Sequence, residues 1–158
     1  MNNERLKTYT ARITQASKSE LTVIMYEIIQ EDIKIAKEAS LSEDKELLVK
    51  ELKHASKFLN ELMATLDFSY KISYELMSLY IYVNKLILSS IAKKKDYHLD
   101  TALSILNKLL LAFQEVAKSD NSGPVMMNTE QIYAGLTYGK GTLNETYLDN
   151  QGNRGFMA

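Results

Sequence analysis

The sequence predicts an all-α protein: an antiparallel, up-down-up-down four-helix bundle followed by a non-helical or partly ordered C-terminal tail. Apolar residues recur at intervals of three and four along four successive stretches before residue 119, which is the spacing of a buried helix face. The only proline is Pro124, and five of the six glycines follow residue 130, so the strongest helix breakers are absent from these stretches. Short polar segments separate the four stretches, and short connections favour antiparallel packing of successive helices.

The first predicted helix covers residues 18–40 and begins at a capping box. The Ser17 hydroxyl can accept a hydrogen bond from the Glu20 amide, and the Glu20 side chain can reach back to the Ser17 amide. An apolar stripe then runs from Leu21 to Ala39 at close to the helical period. The polar segment after residue 40 interrupts this stripe and ends the helix.

The other three helices are predicted at 44–67, 71–92 and 98–118. The second follows Ser42 and Asp44, which suit a helix start. The stripe of the third begins at Ile72, and that of the fourth extends to Val116. The connection before the fourth helix offers Asp96 or Asp100 as its cap.

These helices divide the chain into an N-terminal arm (1–16), the bundle (17–118) and a tail (119–158). The tail lacks a helical period, yet it keeps more large apolar residues than a disordered linker usually has. We therefore expect part of it, Ile132 to Tyr138, to lie against the bundle. The alternative, a tail that is mobile or held by a neighbouring chain, stays open.

Composition argues against several classes of function. The net charge of −1 gives no bulk attraction to nucleic acid or to an anionic membrane. The most apolar stretch, 76–92, contains Asn84 and Lys85, so we expect no membrane insertion. The first residues are polar and do not resemble a signal peptide, and there is no cysteine. Together these features predict a cytoplasmic protein.

The sequence offers little for catalysis, and we expect no enzyme activity, no metal and no cofactor. Glu51 and His54 form half of the pattern found in di-iron bundles, but the second half is missing. His54 as a phosphorylated histidine is a disfavoured alternative, because the residues that follow it do not open the approach of a partner. The sequence YGKGT at 138–142 follows no strand and is not a phosphate-binding loop.

The third helix carries more apolar residues than one buried face requires. Beside its stripe lie Tyr74, Ile81, Tyr82 and Leu88, and the fourth helix adds Ile105 and Leu111. One interpretation is a broad core in which the third helix is central. The other is an apolar groove outside the third and fourth helices that binds an amphipathic or extended peptide. Because successive residues are rotated around a helix, we expect Tyr80, Ile81 and Tyr82 not all to point into the core.

The order and spacing of several short motifs resemble the flagellar export chaperones of the FliS type. The first block of that family is matched by Ile13, Ala16, Ser17, Leu21, Met25 and Tyr26. The later blocks are matched by Glu61-Leu62, Leu66-Asp67 and Leu79-Tyr80-Ile81-Tyr82, and Phe113 stands where the family has Trp. The resemblance covers about residues 9–118. Lys18 stands in place of the family's Pro, and Leu110 in place of an Arg.

This resemblance implies a cytoplasmic chaperone that binds the disordered C-terminal segment of flagellin in an apolar helix groove, prevents premature polymerisation and assists export. The flagellar export gate is a second expected partner. Tyr9 and Ile13 would form an apolar arm that covers part of the groove. The alternative is a non-enzymatic adaptor or structural bundle whose tail fills its own groove. The expected partner-binding residues are Tyr9, Ile13, Tyr26, Leu79, Tyr80, Ile81, Tyr82, Leu88, Ile105 and Leu111.

Overall fold

The computed structural model describes residues 2–125, which form five α-helices and no strand within that range. The helices are α1 (Asn3–Ile13), α2 (Lys18–Leu41), α3 (Lys45–Ala64), α4 (Ile72–Lys93) and α5 (Leu99–Lys118). The all-α prediction is confirmed, and the four predicted helices correspond to α2 to α5. The largest boundary difference is at the end of α3, predicted at 67 and observed at Ala64. The tail segment predicted to dock, 132–138, lies outside the described residues.

Helix α1 is the element that the sequence analysis missed, since residues 1–16 were interpreted as an arm. Asn2 caps this helix, because its side chain accepts a hydrogen bond from the Arg5 amide at 2.9 Å. Tyr9 and Ile13 are its buried residues. Among the described residues, the helix belongs to a compact unit that combines 2–18 with 122–125. Within this unit the Val125 amide donates to the Ala16 carbonyl at 3.2 Å.

The second compact unit, Ser19–Asn121, contains the other helices, and α2 is its most deeply buried element. Buried residues follow each other closely along α2, including Ile28, Ile29, Gln30, Asp32 and Ile33. Consecutive positions point in different directions around a helix, so α2 is covered on most sides. Of the two interpretations of the third helix, the broad core centred on it fits less well, because α4 buries only one face.

Helix α4 packs against α3 on one side and against α5 on the other. Between α3 and α4, the Ser56 hydroxyl donates to Asn84 Oδ1 at 2.7 Å. At the start of α5, Asp96 Oδ1 accepts the Leu99 amide at 3.0 Å, although the N-cap residue itself is His98 and neither Asp96 nor Asp100. These polar contacts fix the position of α4 in the second unit.

Further contacts tie α2 to both ends of α5. Near the start of α5, the Lys37 ammonium pairs with Asp100 and with Asp96, the latter at 3.6 Å. Beyond the end of α5, Asp120 Oδ2 accepts the Ser19 amide in the first turn of α2 at 3.1 Å, where a carboxylate also suits the helix dipole. Helices α2 and α5 are thus anchored at both ends.

Three residues of the predicted buried stripes, Ile72, Leu79 and Val116, are exposed instead. Ile72 and Val116 lie in the first turn of α4 and the last turn of α5. Helix ends have fewer neighbours to cover them, so periodicity overestimates burial there. None of the helices between residues 2 and 125 is both long and apolar enough to span a membrane.

Candidate functional site

The outer side of α4 carries several large apolar side chains that are open to solvent. Tyr74, Ile81 and Leu88 are 61%, 50% and 49% exposed, and Leu79 and Tyr82 are also exposed. Several large apolar side chains exposed on one helix can mark an interaction site. The sequence prediction that Tyr80, Ile81 and Tyr82 do not share one environment is confirmed, because Tyr80 is 1% exposed.

Helix geometry divides these residues into two groups. Tyr74, Ile81 and Leu88 are seven residues apart, which is close to two full turns, so they line up along α4. We call these three residues the α4 strip. Leu79 precedes Ile81 by two residues and is rotated from it by about 200°. Tyr82 is rotated from Ile81 by about 100° and lies between Leu79 and the strip. The predicted residues of α4 therefore do not form a single aligned surface.

The α4 strip lies on the flank of α4 that is nearer to α3. Asn84, which binds Ser56 of α3, follows Ile81 by three residues and precedes Leu88 by four, so it borders the strip. At the other end, the ring of Phe68, in the α3–α4 connection, lies 5.0 Å from that of Tyr74. The strip extends for about 21 Å from Tyr74 to Leu88, which is long enough to contact several turns of a bound helix.

Leu79 and Tyr82 form the second, smaller group, on the other flank of α4. Helix α5 packs beside α4 and carries two further predicted residues, Ile105, which is half-buried, and Leu111, which is exposed. This flank has fewer aligned exposed side chains than the α4 strip. It is therefore the weaker candidate for a peptide.

Tyr26 and Tyr80 were predicted to contact a partner, but the structure places them inside the bundle. They are 0% and 1% exposed, and their hydroxyl groups are hydrogen-bonded to each other. The ring of Tyr26 also lies edge-on to Phe113, with 5.5 Å between centroids. Burial raises the pKa of both phenols. Neither side chain is available to a partner in this conformation. Their hydrogen bond instead joins α4 to α2.

His54 is part of a buried polar contact between α2 and α3. Its Nδ1 lies 2.6 Å from Oδ2 of Asp32, a residue that is fully buried. Its Nε2 is also buried and makes no hydrogen bond. Neither nitrogen is open to a phosphoryl donor, so the geometry argues against phosphotransfer. Within residues 2–125, no group of three His, Asp or Glu side chains could hold a metal ion.

Phe68 was not predicted to contribute to the exposed apolar surface beside the α4 strip. Its position between two helices gave no periodic signal, because a side chain in a connection belongs to no stripe. The other predicted residues, Tyr9 and Ile13, are buried in the described part of the first unit. The structure thus leaves the α4 strip, with Phe68 at its end, as the main exposed apolar feature of α4.

An apolar strip along one outer helix of a bundle is the kind of surface that an amphipathic helix can contact. The family model for flagellar protein FliS matches residues 1–120 of the chain. The chain therefore belongs to the FliS family, a family of flagellar export chaperones rather than enzymes, as its motifs indicated. No curated protein matches the chain.

Proposed function

We propose that this protein is a cytoplasmic chaperone that binds the C-terminal segment of flagellin on the α4 strip and prevents its premature polymerisation. Delivery of the bound subunit to the export gate belongs to the same proposal. The observation that carries it is the alignment of three half-exposed apolar residues along one flank of α4. Family membership supports the class of client.

The spacing of the strip suits a helical client. A segment with apolar residues every three or four positions presents one face to such a surface. Full burial of a side chain of this size contributes about 1.5–3 kcal/mol, and Tyr74, Ile81 and Leu88 offer three of them. A disordered client loses about 2–5 kcal/mol or more of the interaction energy on ordering. The burial of these side chains therefore outweighs the cost of ordering by a small margin, which favours binding that holds flagellin and can still release it.

Size-exclusion chromatography tests this proposal with the full chain and monomeric flagellin from the same bacterium. We expect intact flagellin to co-elute with the chaperone, and flagellin truncated before its C-terminal segment to elute separately. In parallel, light scattering should show that the chaperone suppresses polymerisation of intact flagellin. Equal co-elution of the truncated flagellin, or no co-elution of the intact protein, would contradict the proposal.

A further inference from the structure

A pocket of about 130 Å³ lies at the end of the second unit where α2 and α4 finish and α3 begins. Three lysines line it, Lys45, Lys94 and Lys95, together with Glu43 and the apolar residues Ala39 and Leu48. We call it the lysine pocket. Lys94 comes six residues after Leu88, beyond the end of α4, so the pocket is separate from the α4 strip.

The backbone that forms this pocket contains two matching helix ends. After α2, the Asp44 amide donates to the Ala39 carbonyl at 2.9 Å, and the Glu43 amide donates to the Ser40 carbonyl at 3.3 Å. After α4, the Lys95 and Lys94 amides make the corresponding bonds, both at 3.2 Å. Both ends have the hydrogen-bond pattern of a Schellman motif.

The left-handed residues of these two motifs are Glu43, with φ of 59°, and Lys94, with φ of 52°. Glycine is the usual residue at this position because a Cβ atom strains the left-handed conformation. Here both positions carry a charged side chain, and both line the lysine pocket. Strained residues of this kind concentrate at functional sites.

Positive charge exceeds negative charge around the lysine pocket, because Lys45, Lys94 and Lys95 line it beside a single carboxylate, that of Glu43. Elsewhere in the chain, Lys37 and Lys118 pair with carboxylates, and the Lys93 ammonium lies 3.5 Å from the centre of the Tyr97 ring. In the part of the chain that the structure describes, no side chain pairs with the ammonium groups of Lys45, Lys94 or Lys95. These three cations are therefore available to an acidic ligand.

We propose that the lysine pocket binds a short acidic peptide segment of a second protein partner. The carboxylates of the segment pair with Lys45, Lys94 and Lys95, which line the pocket. Glu43 and the net charge of −1 favour a peptide over a nucleic acid.

Fluorescence anisotropy with the full chain tests this site. The probe is a labelled peptide of sequence Glu-Glu-Leu-Glu-Glu, and the matched peptide has Gln in place of each Glu. We expect the acidic peptide to bind and the Gln peptide not to bind, with affinity that falls as salt rises. Lys95→Ala should weaken binding by about threefold to fivefold, and Glu43→Gln should strengthen it by a similar factor.

Two further variants separate this site from general charge effects and from misfolding. Lys108→Ala removes the same charge from the exposed part of α5 and should leave binding unchanged. Lys94→Gly introduces the residue that the left-handed conformation favours, so it should bind less while folding at least as well. Absence of acidic-peptide binding, equal binding of the Gln peptide, or an equal loss in Lys108→Ala would overturn the proposal. Flagellin binding by Lys95→Ala should be unchanged, which separates this test from that of the proposed function.

Discussion

The hydroxyl groups of Tyr26 and Tyr80 are hydrogen-bonded to each other in the interior of the bundle. Their ring centroids are 6.2 Å apart, and both residues are buried. Tyr26 belongs to α2, the most buried helix, and Tyr80 lies next in sequence to Ile81 of the α4 strip. The pair therefore joins the centre of the bundle to the helix that carries the candidate binding surface.

Removal of one hydroxyl should leave the other buried without its partner. We expect Tyr26→Phe or Tyr80→Phe to lower the free energy of unfolding by about 1–3 kcal/mol. The double Phe variant should lose less than the sum of the two single losses, because no orphaned hydroxyl remains. Urea unfolding measures all three, with the exposed Tyr82→Phe as the control that changes little. Strictly additive losses would contradict a direct interaction.

Stability at high pH depends on the same two residues. Burial raises the pKa of Tyr26 and of Tyr80 above the ordinary value of 10.0. Below pH 10 both states hold the phenol protons. Above it the unfolded chain releases them while the folded chain retains them, so stability falls as pH rises. Thermal unfolding across this range should show a shallower decline for the double Phe variant, and an identical decline would refute this explanation.

Glycine at the two left-handed helix ends should stabilise the protein. Glu43→Gly and Lys94→Gly each relieve a strained backbone, and we expect each to raise the free energy of unfolding by about 1 kcal/mol. The matched control is Lys108→Gly, which places glycine inside α5 and should cost about 1 kcal/mol. Chemical denaturation compares the three variants. Destabilisation by both helix-end glycines would show that these side chains support the fold.

His54 should be a structural residue rather than a phosphate carrier. His54→Phe keeps an aromatic ring but removes the nitrogen that lies 2.6 Å from Asp32, so we expect a loss of about 1–3 kcal/mol in the free energy of unfolding. Lys53→Phe places the same ring at a neighbouring exposed position of α3 and serves as the control. An unchanged midpoint for His54→Phe would mean that the contact contributes nothing to stability.

The sequence predicted the helices of the second unit well because each has a long apolar stripe with polar residues at its ends. Helix α1 was missed because Leu6, Tyr9 and Ile13 give it too short a stripe. The extent to which α2 is buried was also not predicted. Periodicity shows that a helix has a buried face, but it does not show how many neighbours cover the remaining faces.

The candidate site was predicted only in part. An excess of apolar residues on α4 was visible in the sequence, and the exposure of Ile81, Tyr82 and Leu88 agrees with it. Tyr26 and Tyr80 were predicted to contact a partner but are buried, because a tyrosine suits a wet interface and a hydrogen-bonded core equally well. The lysine pocket had no sequence signal, since its residues come from the ends of separate helices.

Isothermal titration calorimetry of the full chain with the flagellin C-terminal segment tests the central claim, that the α4 strip binds this client. Ile81→Ser and Leu88→Ser should each weaken binding about tenfold, because each removes an apolar side chain that the client would bury. Leu41→Ser removes a side chain that is 88% exposed and lies outside the strip, and it should bind as the unmodified protein does. Unchanged affinity in both strip variants, or an equal loss in Leu41→Ser, would contradict the claim.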